Sequence, residues 1–196
     1  GSNLKSEHYV IEPGVRVVRL QNIQESRYND SDRAFVSQPH ADYLVRNAVY
    51  PGDVLIAALG EDSYPVGRSC CYPDGFPPAI NKADCFRLRC NSNIALNAYV
   101  MNFLNMPAAR NQIRRFEQGV TRQRVNLGNM RRIVVALPDI NEQQRIVRLI
   151  FTANDQVETS EIMAEKLRLK KYGLMHDLLT GRVRVPVSNA EISKDI

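Results

Sequence analysis

The chain has 196 residues, 44% of them hydrophobic and 24% charged, with a formal net charge of +5 and no tryptophan. These are the proportions of a globular protein with room for one ordinary domain and an appendage. They exclude a disordered polymer, and no apolar run of about 18 residues is present to span a membrane.

The N-terminus lacks the basic, apolar, small-residue order of a signal peptide, so the expected compartment is the cytoplasm. Gly1-Ser2 reads as the remnant of a tag. Val15–Ile23 (VRVVRLQNI) alternates well enough for a strand, with Arg16 and Arg19 on different faces. The polar stretch 24–42 is rich in Ser, Asp and Asn and reads as loop. Tyr50-Pro51-Gly52-Asp53 is a turn that launches the apolar run Val54–Leu59, ended by Gly60. Glycines and prolines make 60–78 loop-like again, and Cys85–Arg89 fits another strand.

The cysteines at 70, 71, 85 and 90 do not follow zinc-ligand spacing, because adjacent Cys70 and Cys71 cannot easily aim at one metal. They are expected to be small, buried or half-buried thiols, with no metal and no cofactor. Ile94–Asn105 and Ala108–Phe116 look helical, separated at Pro107.

Residues 110–132 then hold seven arginines (110, 114, 115, 122, 124, 131 and 132) against Glu117 alone, while the flanking stretches 1–109 and 133–196 carry net charges of −1 and zero. Arginine's planar fork of donors suits phosphate oxygens and guanine edges, so this concentration points to nucleic acid. A solvated basic face is the alternative that charge alone leaves open. Arg132–Leu137 (RIVVAL) is a β-rich run closed by Pro138.

Asn141 with Gln144 fits a capping box opening a helix, and Gly181 is a natural stop. Ile146, Ile150, Ala153, Val157, Ser160, Ala164, Leu167, Lys171, Leu174 and Leu178 step by four and three throughout. That is a coiled-coil seam, on which Ser160 and Lys171 can set register. A 40-residue helix of this kind would be about 60 Å long, more than the domain's diameter, so its stripe calls for a partner helix. The expected fold is therefore a mixed α/β (α+β) domain over residues 1–140, a long coiled-coil helix over 141–181 and a tail over 182–196.

Catalytic signatures are missing. The sequence has no phosphate-binding Gly-x-x-x-x-Gly-Lys-Ser/Thr loop and no Gly-x-Gly cofactor loop. It has no Asp/Glu-x-Lys of a metal-dependent nuclease and no nucleophile elbow. Phe76-Pro77-Pro78-Ala79 lacks both the amide and the ring of an adenine-methylating tetrapeptide. The chain is not expected to be an enzyme.

Five stretches resemble the specificity subunits of Type I restriction-modification systems. Val17–Ile23 is similar to the opening strand of a target-recognition domain. Tyr50–Ile56 followed by Gly60, and then Gly119–Asn126 (GVTRQRVN), resemble two further motifs of that domain. Val135–Arg145 (VALPDINEQQR) and Lys170–Arg182 (KKYGLMHDLLTGR) look like the start and finish of the family's spacer helix. The family's usual tryptophan-containing segment before the first strand is not matched.

The resemblance implies a DNA target-recognition domain that reads one half of a bipartite site in double-stranded DNA. It also implies docking of methyltransferase subunits, and a restriction subunit joined through the assembled complex. One domain and one helix are half of such a subunit. The missing helix would come from another half or from a second copy of the chain, with Ile146, Ile150, Ala153, Val157, Leu167, Leu174 and Leu178 at the interface. The residues expected on DNA are Gly119, Thr121, Arg122, Gln123 and Arg124, then Arg68 and Ser69, then Lys82. A coiled-coil adaptor whose basic patch meets an acidic protein is the competing reading.

Overall fold

The computed structural model describes residues 2–60 and 63–185. The strands are β1 (Tyr9–Val10), β2 (Val15–Val18), β3 (Phe35–Val36), β4 (Ala48–Val49), β5 (Val54–Ala57), β6 (Leu59–Gly60), β7 (Ser69–Cys71), β8 (Ala79–Asn81), β9 (Cys85–Leu88) and β10 (Gln123–Arg124). The helices are α1 (Gln38–Tyr43), α2 (Asn97–Asn105), α3 (Pro107–Arg114), α4 (Leu127–Met130) and α5 (Ile140–Leu179). A mixed α/β domain with a long C-terminal helix is the expected class. The chain divides into two units, Gly1–Val147 and Arg148–Ile196.

In the first unit a five-stranded sheet runs β1-β3-β2-β8-β4, antiparallel except where β2 and β8 lie parallel. A three-stranded antiparallel sheet runs β7-β5-β9, and β6 pairs with β10. The central strand β5 explains the stacking. Val54 and Ile56 point into one core with Val100, Met101, Leu104 and Ile113 of α2 and α3. Leu55 and Ala57 point the other way, into a core shared with Val18, Val49 and Ala79 of the larger sheet. A strand covered on both faces needs apolar side chains at every position, which is why VLIA reads as a continuous run rather than an alternation. Val17, Val36 and Ile80 fill a third core beneath α1.

Several local expectations shift. The first strand stops at Val18, and Leu20–Asn22 is a short 3-10 turn instead. Asn22 is buried there, donating to the carbonyls of Asn29 and Asp32. Ser2 is also buried, its backbone N–H and hydroxyl both bonded to the Asn81 carbonyl.

The run Arg132–Leu137 forms no strand. Its backbone is held by side chains, since the Gln112 amide exchanges two hydrogen bonds with Val134 and the Tyr99 hydroxyl donates to Ala136. An apolar run signals burial and extension, but a strand also needs a neighbouring backbone, and here side chains take that place.

The long helix opens one residue before Asn141. Asp139 is the residue that caps it, accepting from the backbone N–H groups of Asn141 and Glu142. Gln143, fully buried in its first turn, accepts from the Leu96 N–H and donates to the carbonyls of Ile94 and Pro138. This anchoring holds 94–96 as a loop, so α2 begins at Asn97 and not at Ile94.

Gly181, with φ +73°, follows the helix where a stop was expected. Most of the tail expected at 182–196, from residue 186 on, lies outside the described residues. Among the described residues no helix is long and apolar enough to cross a membrane.

Cys70 and Cys85 are buried, and Cys71 and Cys90 are partly so. Burial pushes the Cys85 thiol up to about 12 and the Tyr28 phenol up to about 12, from ordinary values of 9.0 and 10.0. The folded chain thus keeps these protons at a pH where the unfolded chain releases them. Stability from this source is full below pH 9, and is lost as pH rises from there toward 12. The urea midpoint is expected to be flat from about pH 7 to 9 and to fall above it; a midpoint still flat at about pH 11 would place these groups in water.

Candidate nucleic-acid interface

The segment Gly119–Asn126 folds as a closed finger. Gln118 and Arg124 exchange two backbone hydrogen bonds of 3.0 and 2.9 Å, and β10 pairs with β6 through Gln123–Gly60 and Arg124–Leu59. Gly119 sits at φ +99°, and a Cβ there would stand 2.5 Å from the Arg122 carbonyl oxygen. The glycine is therefore required by the tight turn itself. Behind the finger, Val125 is buried and its N–H donates to the Ala58 carbonyl, fixing the base of the tip.

The tip lies outside. Val120, Thr121, Arg122 and Arg124 are exposed, and Gln123 is half-buried. Arg124 reaches Asp84 at 3.4 Å, which brings the turn carrying half-buried Lys82 beside the finger.

Arg68 and Ser69 do not join that surface, and the expectation that they face DNA is corrected. Arg68 is 6% exposed. Its guanidinium donates to the carbonyls of Leu20 and Ile23 on one loop, and of Leu59, Tyr64 and Pro65 on another. Ser69 is fully buried, its hydroxyl donating to the Met101 carbonyl and its N–H to Asn105 Oδ1. Both serve the frame that carries the finger.

The frame and the tip meet at a cleft of about 450 Å³. Leu20, Gln21, Gln24 and Asn29 contribute from one loop, and Leu59, Gly60, Tyr64 and Arg122 from the β6–β10 side, with Arg68 between them. Gly60 belongs to this packing, because a Cβ there would meet the Val66 nitrogen at 2.4 Å.

The arginine-dense segment divides in a way composition could not show. Arg110 is turned inward, with its Nη1 donating to the Val66 carbonyl and its Nη2 donating to Asn105 Oδ1 at 3.3 Å and lying 3.7 Å from Glu25. Arg132 lies 4.8 Å from the centre of the Phe116 ring. Arg114, Arg115, Arg122 and Arg131 are exposed and, among the described residues, have no ion-pair partner.

In the second unit, Val157, Leu167, Leu174 and Leu178 of α5 are exposed, with Val157 at 56% and Leu167 at 57%. The apolar face is broader than the heptad seam. Met175 and Leu179 stand beside Leu167, Leu174 and Leu178 in one groove flanked by Lys170 and Lys171.

Residues 47–168, which include the finger, the cleft wall at β6 and most of α5, match the profile of the Type I restriction modification DNA specificity domain. The chain belongs to this family.

Two curated members are the putative type I restriction enzyme MjaX specificity subunit of Methanocaldococcus jannaschii, 20% identical over 172 residues, and the type I restriction enzyme StySPI specificity subunit of Salmonella potsdam, 24% identical over 162. The alignments take in 87% and 82% of this chain but only 40% and 34% of those specificity subunits. The fold likewise matches the HsdS subunit from Thermoanaerobacter tengcongensis, with a TM-score of 0.62 at 16% identity over 89% of this chain and 44% of that one. It also matches the Type I S subunit from M. genitalium, with a TM-score of 0.51 at 13% identity over 90% of this chain and 41% of that one. At such low identities these structures speak for the fold of the specificity domain and its helix.

Two contributors to the specificity domain's cleft escaped the sequence reading. Gln21 lies inside the strand-like motif Val17–Ile23 and Gln24 just after it, and the 3-10 turn at Leu20–Asn22 in place of a strand brings this stretch into the cleft wall.

Proposed function

We propose that the chain is the DNA-reading half of a Type I specificity subunit, with residues 1–140 recognising one half of a bipartite duplex site. The observation that carries this is the exposed tip Gly119–Arg122 of the finger in a specificity-domain family member, with Arg122 free to meet phosphate or guanine. Thr121, Gln123 and Arg124 flank it on the same tip, and Lys82 stands on the adjoining turn. The chain is not itself catalytic in this reading. It docks methyltransferase subunits, and a restriction subunit through the assembled complex.

The helix 141–181 supplies the pairing surface. Residues 155–165 carry four acids and no bases, whereas 166–171 carry four bases and no acids. Two copies side by side in parallel would set like blocks together along their whole length. An antiparallel pair centred on residue 162 sets Asp155 and Glu158 level with the basic stretch 166–169 and leaves only 159–165 facing its own copy. An antiparallel alignment in which paired positions add to 324 also matches every seam residue with another. Ile146 then meets Leu178, Ile150 meets Leu174, Val157 meets Leu167, and the small Ser160 meets the small Ala164. A symmetric dimer of DNA readers fits a palindromic, split target.

Fluorescence anisotropy with labelled duplexes at several salt concentrations tests the reading. Affinity is expected to fall steeply with salt, and Arg122→Ala to weaken binding to all sequences while lowering the log–log salt slope by about 1. Binding that does not respond to salt, or an unchanged slope in the variant, would remove the finger from the DNA surface.

A further inference from the structure

We propose that Gln21 and Gln24 read base edges from the wall of the cleft facing Arg122, on a loop that Arg68 holds in place. This deepens the DNA-reading function proposed above and rests on it.

The loop is built to present these two amides. Below them, Asn22 is buried and tied to Arg19, Asn29 and Asp32, so the 3-10 turn cannot rotate. Beyond them, the Ser26 N–H donates to the Ser69 carbonyl, and the Ser26 hydroxyl accepts from Asn105. From the side, Arg68 Nε donates to the Ile23 carbonyl at 2.8 Å and Nη2 to that of Leu20 at 3.2 Å. The same guanidinium holds the carbonyls of Leu59 and Tyr64 on the opposite wall, so one side chain sets the spacing of the cleft. A pre-ordered loop does not lose conformational freedom again when it binds.

The two amides differ in what they have left to offer. Gln24 donates to the Gln21 carbonyl at 3.1 Å, which directs its amide and leaves its carbonyl oxygen as an acceptor. That acceptor suits the exocyclic amine of adenine or cytosine. Gln21 is exposed, and its side-chain amide has no hydrogen-bond partner among the described residues. A free primary amide can bond the N6 and N7 of adenine together. Arg122, exposed on the facing wall, meets the phosphates or a guanine. The arrangement therefore predicts a target containing an adenine read by Gln21, next to a position with an exocyclic amine read by Gln24.

Selection of duplexes from a randomised library by the purified chain, followed by sequencing of the bound fraction, tests this. Gln21→Ala is expected to flatten one A·T position by about tenfold and to leave the other positions and the salt slope unchanged. Gln21→Glu should shift that same position toward cytosine, since a carboxylate accepts from the cytosine amine. Gln24→Ala should flatten a different, adjacent position. Profiles of all three variants that superimpose on the parent's would overturn the proposal, and the parent's own selected motif would leave the DNA-reading function standing. A parent that selects no motif overturns both.

Discussion

Arg68→Leu is expected to lower the melting temperature by roughly 10 °C. The guanidinium meets five backbone carbonyls from two loops, and leucine can satisfy none of them. Each buried acceptor left without a donor costs about 1–3 kcal/mol, less where water can enter from the cleft. A total of about 3–5 kcal/mol follows, near the range for breaking one partner out of a buried charged network. Lysine keeps the charge but places three donors at one point, and cannot span carbonyls on both walls. Arg68→Lys should therefore recover only part of the loss. A thermal melt followed by circular dichroism measures it. A drop of less than about 2 °C for leucine would mean that the loops are held by other contacts.

Arg68 also marks the boundary of what could be read from sequence. An arginine in a loop of glycines and prolines reads from sequence as a DNA contact, whereas the folded chain buries it among backbone carbonyls. Its partners at Ile23 and Leu20 are 45 and 48 positions away along the chain, and only the folded topology brings them within reach. Local signals fared better. The Tyr50–Asp53 turn closes with Asp53 donating to the Tyr50 carbonyl and accepting from the Tyr50 N–H, a pattern contained within four residues.

The apolar run of β5 was legible because burial on both faces leaves no other composition possible. The run at 132–137 has the same appearance, but finds the amide of Gln112 instead of a strand. The arginine count at 110–132 marks the basic segment, whereas the inward turn of Arg110 depends on Val66, 44 positions away along the chain. Periodicity identified α5 as a long helix, and missed Met175 and Leu179 because a heptad template asks only about two positions in seven.

The second large effect concerns that helix. If the seam pairs two copies as proposed, Val157→Asp and Leu167→Asp act on the same contact, because position 157 of one copy lies against 167 of the other. The isolated substitutions place a carboxylate inside an apolar layer, once on each side of the dyad, so each change is felt twice per dimer. Both side chains are more than half exposed in the single chain, at 56% and 57%, so neither substitution should unfold it. Light scattering at micromolar concentration is expected to give twice the chain mass for the parent and a single chain mass for either variant.

A reciprocal pair sharpens the test of orientation. Val157→Asp combined with an equimolar amount of Leu167→Lys chain should restore mixed dimers, since antiparallel pairing sets the new acid against the new base. In a parallel pair residue 157 faces 157, the two changes never meet, and no rescue occurs. A monomeric parent would refute self-pairing itself. A dimer untouched by either aspartate would place the contact elsewhere on the broad apolar face, with Met175 and Leu179 the next positions to substitute.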